Sequence, residues 1–505
     1  FADSAPDAQD LCREGASKAI SLFMDDSCNQ PRTPLFPSNQ STFTWAYSAL
    51  QHSGRIAICE KLLDYQKAGL ADIAVMDDEI RVEFLPRYSG LENIDTEEFE
   101  WLTDSIHDGQ QTVRKALGSI QPKIHEIMRP LVYRWIDYYI GYEADPLVDA
   151  YFERLGVLTA ELMTGHDAFE DEANFGGLPF AFYRATVWTL VGWAIKHVNF
   201  AKLLQEKHPD LLPQNLTTVT ADIDKLSSSL AAALGATVDD ASRALSLLEL
   251  NLHNVTALCI NGHAPPPLIR SSSEQFIRPL SGMLVTPFHF MLRNLRANYR
   301  QDWDRALNTR ESLFRDELLQ LFPQSWLRKL TGSVALNQGE KTLTDIDAVI
   351  VDTKNGTVGL FQLKWQEPFG HSIRERSARM DNFNREAVLW IDTVTNYLAT
   401  HTSEEMGSKF GVSKKSYRDV EYYLFVVGRY FTHFSGDEMP DPRAAWGVWP
   451  HLIRLIRATA ASENPIKDLH VALVKDSPAL RPLSIPSSSF KIGGKTVRMM
   501  EVPKD

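Results

Sequence analysis

The segment Thr344–Trp365, TDIDAVIVDTKNGTVGLFQLKW, places Asp345 and Asp347 upstream and Gln362 and Lys364 downstream of a single Asn355-Gly356 step. Asn-Gly between two alternating apolar runs signals a β-hairpin, because the central turn positions require positive φ. Side chains alternate along a strand, so Asp345 and Asp347 share one face of the first strand. Gln362 and Lys364 share one face of the second, with Phe361, Leu363 and Trp365 on the other. A two-residue turn would set Asp347 directly opposite Lys364. Polar groups then converge where a structural strand would bury Val or Ile. Phosphodiester hydrolysis uses such a grouping: a hard cation such as Mg²⁺ or Mn²⁺ takes oxygen ligands, offsets phosphate charge and acidifies the attacking water. Asp347 offers a carboxylate, Gln362 a side-chain carbonyl and Leu363 its backbone carbonyl. Lys364 would stand beside the attacking water or the developing oxyanion. Gln362 carries no charge, so the cation is expected to bind more weakly than at a site with Asp or Glu there. The plainer reading is a solvated strand pair with a salt bridge. It accounts for Asp345 or Lys364 alone, but not for the convergence, and Asp345 is expected at the strand entry rather than as a ligand.

These residues resemble the PD-(D/E)xK nuclease superfamily in a Gln-x-Lys form, similar to type IV restriction endonucleases of the Mrr kind. The resemblance covers about residues 305–475 and rests on one degenerate motif plus the order of elements; Thr344-Asp345-Ile346 stands where the usual proline precedes the first acid. It implies a restriction-endonuclease-like domain that cleaves DNA with a divalent metal, Mg²⁺ or Mn²⁺, with defence against foreign DNA as the setting. It also implies a glutamate on the helix before the sheet. Glu311 and Glu317 compete for that role: Leu313, Phe314, Leu318, Leu321 and Phe322 make one apolar face, Glu311 continues one edge of it and Glu317 lies beside Leu313 and Leu321. An ionised carboxylate aimed at a core needs a metal, a cation or a proton. Glu311 is preferred, with Glu317 in reserve. The expected catalytic set is therefore Asp347, Gln362, Lys364 and Glu311, and the expected metal ligands are Asp347, Gln362 and Glu311 or Glu317. Two other readings stand beside DNA cleavage: a catalytically weak nuclease fold that binds nucleic acid or a protein, and an RNA nuclease, since the motif acts on phosphate and does not read the base.

The elements that must position the motif follow from periodicity. Residues 309–322 read as a helix closed by Pro323. After it come strands at Ser333–Leu336, Asp345–Asp352 and Thr357–Trp365, a helix over Ser377–Leu398, a strand at Val420–Tyr430, a helix over Ala444–Ala461 and a strand near Leu469–Val474. That order, αβββαβαβ, predicts a three-layer α/β domain with a mixed central sheet. Upstream the pattern is mainly helical, with the clearest helices over Thr112–Gly141 and Pro179–Leu204, a further run over Thr237–Leu258 and a short strand pair around Ile73–Phe84. Pro265-Pro266-Pro267 and Ser271–Ser273 suggest a linker near 261–275. The expected organisation is a mainly helical domain over 1–205, a helical region over 206–300 and the nuclease-like domain over 301–505. Tyr133, Trp135, Tyr138, Tyr139 and Tyr142 have helical spacing and are expected in the core.

Composition bounds the rest. A chain of 505 residues with a 44% hydrophobic fraction is long enough for two to four cores. The net charge of −13 is unevenly spread: residues 301–505 carry 27 Lys and Arg against 26 Asp and Glu, and residues 1–300 carry 25 against 39. The first part would repel a phosphate backbone and suits recognition, a protein partner or self-assembly, while the second can meet nucleic acid locally. Cys12, Cys28, Cys59 and Cys259 include no CxxC pair, which fits a reducing, cytoplasmic setting. The longest apolar stretch, Phe180–Ile195, is interrupted by Arg184 and Gly192 and is too short for a membrane span. Arg374, Arg376 and Arg379 follow the motif with Trp365, Phe369 and His371, and either track a nucleic-acid backbone or form a solvated helix start. His433 has no ligand partner at useful spacing. The acidic run at Asp167–Glu172 beside His166 reads as a solvated loop.

Overall fold

The computed structural model describes residues 8–24, 30–32, 36–85, 108–136, 138–255, 266–285, 287–365, 367, 373–412, 420–430, 441–459, 461–476 and 487–500. The chain divides into two compact units: residues 1–62, 106–306 and 489–494 form one, and residues 63–105, 307–488 and 495–505 the other. The stretch 206–300, expected as a region of its own, thus groups with 106–205, and the 63–105 segment groups with the C-terminal part. Among the described residues, no helix is long and apolar enough to cross a membrane.

The first unit is helical with short strands. Helix α1 (Gln121–Leu131) ends where Val132 begins a hairpin of β1 (Val132–Trp135) and β2 (Tyr139–Tyr142). The helix expected over Thr112–Gly141 is therefore broken, because a run rich in aromatics and valine favours an extended backbone. Tyr133 and Trp135, placed in the core by the spacing, are 48% and 53% exposed. Helices α2 (Pro146–Ala160) and α3 (Phe180–Lys207) pack together through Gly156 and Gly192, where a Cβ on Gly156 would meet the Gly192 backbone. The expected Pro179–Leu204 helix is α3. Beyond it come β3 (Thr218–Asp222), α4 (Ile223–Leu234), α5 (Val238–Ser246), β4 (Leu268–Arg270) and β5 (Gln275–Pro279). Strands β3, β5 and β4 pair side by side, so a region read as helix and linker contributes to a sheet, and α5 stops well short of Leu258. Residues 261–265 of the expected linker lie outside the described residues.

In the second unit the hairpin Ala71–Val75 with Glu79–Phe84 forms where the Ile80, Val82 and Phe84 alternation predicts it, and Lys495–Met500 adds to Glu79–Phe84 in parallel. The main body follows helix α6 (Arg300–Gln320), within which the division between units falls. Strand β6 (Leu327–Lys329) precedes a small two-stranded ribbon of β7 (Val334–Gln338) and β8 (Lys341–Ile346). Then come β9 (Ala348–Asp352), β10 (Thr357–Lys364), α7 (Ile373–Thr400), β11 (Glu421–Gly428), β12 (Ala444–Val448), α8 (Trp449–Thr459) and α9 (Pro465–Lys475). A five-stranded sheet has the order β6-β9-β10-β11-β12, antiparallel on the β6 side and parallel from β10 onward.

Alternation along the strands builds the layers. Val349, Val351, Val358, Leu360 and Val426 face α7, against Phe383, Ala387, Trp390, Ile391 and Val394. Ala348, Ile350, Phe361, Leu363 and Phe425 face the other way, onto Phe314 and Leu318 of α6, Leu452 of α8 and Leu469 and Leu473 of α9. The result is helix, mixed sheet, helix, with both sheet faces dry. Two elements after α7 differ from the sequence reading. Ala444–Val448, expected to start a helix, is a fully buried strand, since a short apolar run carries no periodicity to separate the two. Leu469–Val474, expected as a strand, lies in α9, which Asn464 caps by accepting from the Lys467 amide, with Pro465 in the first turn. Ile466, Leu469 and Leu473 then recur at helical steps on the buried face.

The β9–β10 turn is longer than Asn355-Gly356 alone. Asp352 pairs with Thr357, leaving Thr353, Lys354, Asn355 and Gly356 as a four-residue loop. Asp352 Oδ1 accepts from the Lys354 and Asn355 amides at 2.9 Å each, and Gly356 closes the turn at φ 71°. Gly356→Ala would force a Cβ into the left-handed region and should cost about 1–2 kcal/mol, measured as a lower midpoint in urea unfolding with the slope unchanged.

Candidate functional site

The longer turn moves the register by two residues from the one expected. Ala348 pairs with Phe361 and the Asp347 amide donates to the Phe361 carbonyl at 3.0 Å, so Asp347 lies level with Gln362 rather than Lys364. A two-residue shift preserves the face, because the side-chain period is two. Asp347 occupies the break between β8 and β9, where the stretch expected as one strand, Asp345–Asp352, changes partners from the β7 ribbon to the central sheet. Its carbonyl accepts from Arg315 Nη1 at 3.3 Å, and the Asp345 carbonyl accepts from the Trp390 indole at 2.8 Å. The sheet and the helices on both sides thus hold the backbone at this break.

The Asp347 side chain is 5% exposed. Its Oδ2 accepts from Gln362 Nε2 at 2.7 Å and from the Leu363 amide at 2.6 Å. Oδ1 accepts nothing among the described residues. Burial pushes the carboxyl up to about 7; the Leu363 amide opposes the shift, Asp345 and Glu311 add to it, and Lys364 pulls it down. The same interactions show that Asp345, Glu311 and Lys364 all act electrostatically on Asp347. Gln362 is 8% exposed, a buried amide on an apolar strand. Lys364 Nζ donates to Glu386 Oε2 of α7 at 3.0 Å.

The two glutamates separate clearly. Glu317 forms an ion pair with Arg429, whose guanidinium lies 4.7 Å from the Trp365 ring centroid, 5.1 Å from that of Trp449 and 5.3 Å from that of Phe314. Arg429 is 4% exposed, so Glu317 serves as its counter-ion. Glu311 is exposed, has no ion pair among the described residues and raises Asp347, as a carboxylate at the edge of the site would. Arg310, 2% exposed, bonds Glu367 at 3.1 Å and lies over Trp365, so two buried arginines share that indole.

Among the described residues, no three His, Cys, Asp or Glu side chains gather as a ligand set. The oxygens at hand are Oδ1 of Asp347 and the amide oxygen of Gln362, whose nitrogen meets Asp347, and Glu311 is close enough to act on Asp347 electrostatically. Oxygen donors suit a hard cation such as Mg²⁺, and a buried carboxylate raised toward neutrality is one that a cation would return to its charged form. Gln362 presents its NH₂ to Asp347; turning the amide by 180° about its last torsion would present its oxygen instead. Sequence reasoning missed Glu386. Nothing in its local context marks it, because a helix residue 22 positions beyond Lys364 meets that lysine only once α7 packs on the sheet. Phe369, His371 and His433 lie outside the described residues, as do the side chains of Arg374, Arg376 and Arg379. Asp171 of the acidic run bonds Arg184, as a surface ion pair.

Comparison of the chain with known protein families, with curated proteins and with solved structures yields no match.

Proposed function

We propose that the second unit is a divalent-metal-dependent nuclease of the PD-(D/E)xK type that hydrolyses phosphodiester bonds in DNA. The observation that carries this reading is the buried Asp347–Gln362 pair at a strand break, with Oδ1 of Asp347 free among the described residues and Lys364 on the same face. A sheet whose other buried positions are almost all apolar has no structural need for this pair, and burying it carries a desolvation cost. The mixed sheet between two helical layers also supports it, with Arg315 of α6 on the backbone of the break and Glu386 of α7 on its polar face.

In this reading Asp347, Gln362 and Glu311 would hold Mg²⁺ or Mn²⁺, which supplies charge neutralisation at the phosphate and a more acidic attacking water. Asp347 contributes the one buried carboxylate, and Gln362 turns its amide to offer oxygen. Leu363 fixes the Asp347 rotamer through its amide. Lys364 orients the water or stabilises the negative charge that develops on phosphate oxygens, and Glu386 holds its ammonium in place between turnovers. Arg315 anchors the Asp347 carbonyl, which keeps the strand break from relaxing.

Incubation with plasmid, linear and single-stranded DNA and with RNA, with and without Mg²⁺ or Mn²⁺, tests the proposal. Metal-dependent nicking of plasmid is expected. Cleavage confined to RNA would replace DNA by RNA as substrate. Glu311→Gln should weaken metal-dependent cleavage about 10–100-fold, on the scale of lost metal-site partners, with unfolding unchanged. Glu317→Gln should do the reverse, lowering the unfolding midpoint because Arg429 loses its counter-ion. The two variants, assayed side by side for nicking and for denaturant unfolding, decide which glutamate serves the site.

A second reading has its own observation. Gln362 Nε2, a donor, already occupies Asp347, and no third acid completes a ligand set among the described residues. A nuclease fold that binds nucleic acid or a protein without cutting would look this way. Absence of both metal binding and nicking at millimolar Mn²⁺ selects it.

A further inference from the structure

The first unit contains a cavity of about 560 Å³ between α3, β3, α4 and β5, within the size range of small-molecule sites. Its charged groups do not cancel. Lys196 is paired with Asp149 at 2.8 Å, and Lys225 with Asp222 at 3.0 Å. Arg278, on β5, also lines the cavity and is partly buried, yet among the described residues its side chain has neither an ion pair nor a hydrogen bond. It stands as the uncompensated cation.

Tyr142 and His197, which interact electrostatically with Arg278, are neutral. His197 Nε2 lies 2.6 Å from the Leu216 carbonyl, which can only accept, so Nε2 carries the ring proton. His197 Nδ1 must then accept the Tyr142 hydroxyl at 3.2 Å. Burial holds His197 below its ordinary value and Tyr142 above its own, so neither is charged near neutral pH. Tyr142 therefore offers Arg278 only oxygen lone pairs, and burial disfavours the guanidinium charge, which no carboxylate among the described residues offsets. Leaving an arginine in this state is costly unless a ligand completes it. Thr220 and Ser229 add hydroxyl donors to the wall, while Trp193 and Leu226 supply an apolar side.

We infer that this cavity is a binding site for a small organic anion, with its phosphate or carboxylate seated on Arg278 and its apolar or aromatic body against Trp193. A guanidinium fork matches either oxyanion in a two-point contact, and the hydroxyls of Thr220 and Ser229 suit its remaining oxygens. The site is independent of the nuclease reading. It depends on residues of α3, β3, α4 and β5 that the motif in the second unit does not include.

Isothermal titration of the full chain with adenosine 5′-monophosphate, benzoate, inorganic phosphate and uncharged adenosine tests it. The phosphate- or carboxylate-bearing compounds should bind at millimolar concentration or better and adenosine should not, with the stronger of adenosine 5′-monophosphate and benzoate identifying the oxyanion preferred. Arg278→Met should lose that binding by at least about 10-fold, and Arg278→Lys should keep part of it, as expected for loss and partial retention of a charge-assisted contact. Circular dichroism of both variants shows whether they fold, and Arg278→Lys carries the test if Arg278→Met does not. Failure of every anion to bind the wild-type chain, equal binding of adenosine, or undiminished binding by Arg278→Met overturns the assignment.

Discussion

Asp347→Ala and Lys364→Ala should each reduce metal-dependent plasmid nicking by about 10³-fold or more, equivalent to roughly 4 kcal/mol of transition-state stabilisation. The two losses have different origins. Asp347→Ala removes the only buried carboxylate of the site, so metal affinity falls and no excess of Mn²⁺ within the millimolar range restores the rate. Lys364→Ala leaves the oxygen donors intact, so the metal still binds while the water or the developing oxyanion loses its positive neighbour. A titration with Mn²⁺ separates them: metal binding persists in Lys364→Ala and disappears in Asp347→Ala. Because Lys364 also bonds Glu386 at 3.0 Å, Lys364→Arg is the informative companion. A planar fork on a longer side chain keeps the charge but displaces it, and most of the activity should still be lost. Nicking at wild-type rates by purified Asp347→Ala or Lys364→Ala would sink the nuclease proposal.

The second large effect is on stability. Asp347 is held up at about 7 in the folded chain, against an ordinary value of 3.8, chiefly by burial. Below about pH 4 the carboxyl is protonated whether the chain is folded or not, and the raised value costs nothing. As pH rises from there toward 7, the unfolded chain releases this proton and the folded chain keeps it, so stability declines; above 7 the full cost is present. Asn at this position keeps an oxygen for Gln362 and the Leu363 amide but cannot ionise. Asp347→Asn should therefore be more stable than wild type at pH 8 without metal, by up to about 4 kcal/mol, with the gain vanishing below about pH 4. Adding Mg²⁺ at pH 8 should stabilise the wild type and leave Asp347→Asn unchanged, because only the wild type gains a partner for its charge. Thermal or urea unfolding across pH 4–8 reads both. A variant no more stable than wild type at pH 8 would show that the buried carboxylate is compensated by other means.

The sequence by itself determined which residues of each strand share a face: Asp347 goes with Val349 and Val351, and Gln362 with Lys364. Both faces of the strands are buried, so it was the observed pairing of Ala348 with Phe361 that set Asp347 on the same side as Gln362 and Lys364. The sequence also determined α3 and the Glu79–Phe84 strand, whose periods are long or regular enough to be read locally. Tertiary structure decided what depends on distant partners. The Asp352 side chain bonds two loop amides and makes a four-residue turn of an Asn-Gly signal, which moved the register. Arg429 lies 112 residues from Glu317, and their pairing distinguishes two glutamates that a helical wheel could not tell apart. Ala444–Val448 became a strand because β11 offers it an edge, and Leu469 turned inward on a helix because Asn464 caps it. Arg278 became a cation without a partner among the described residues only when β5 met β3 and brought it to a cavity lined by α3 and α4. Local pattern carries periodicity and turn chemistry; which charge meets which, and which is left without a partner, is set by contacts that no short window of sequence contains.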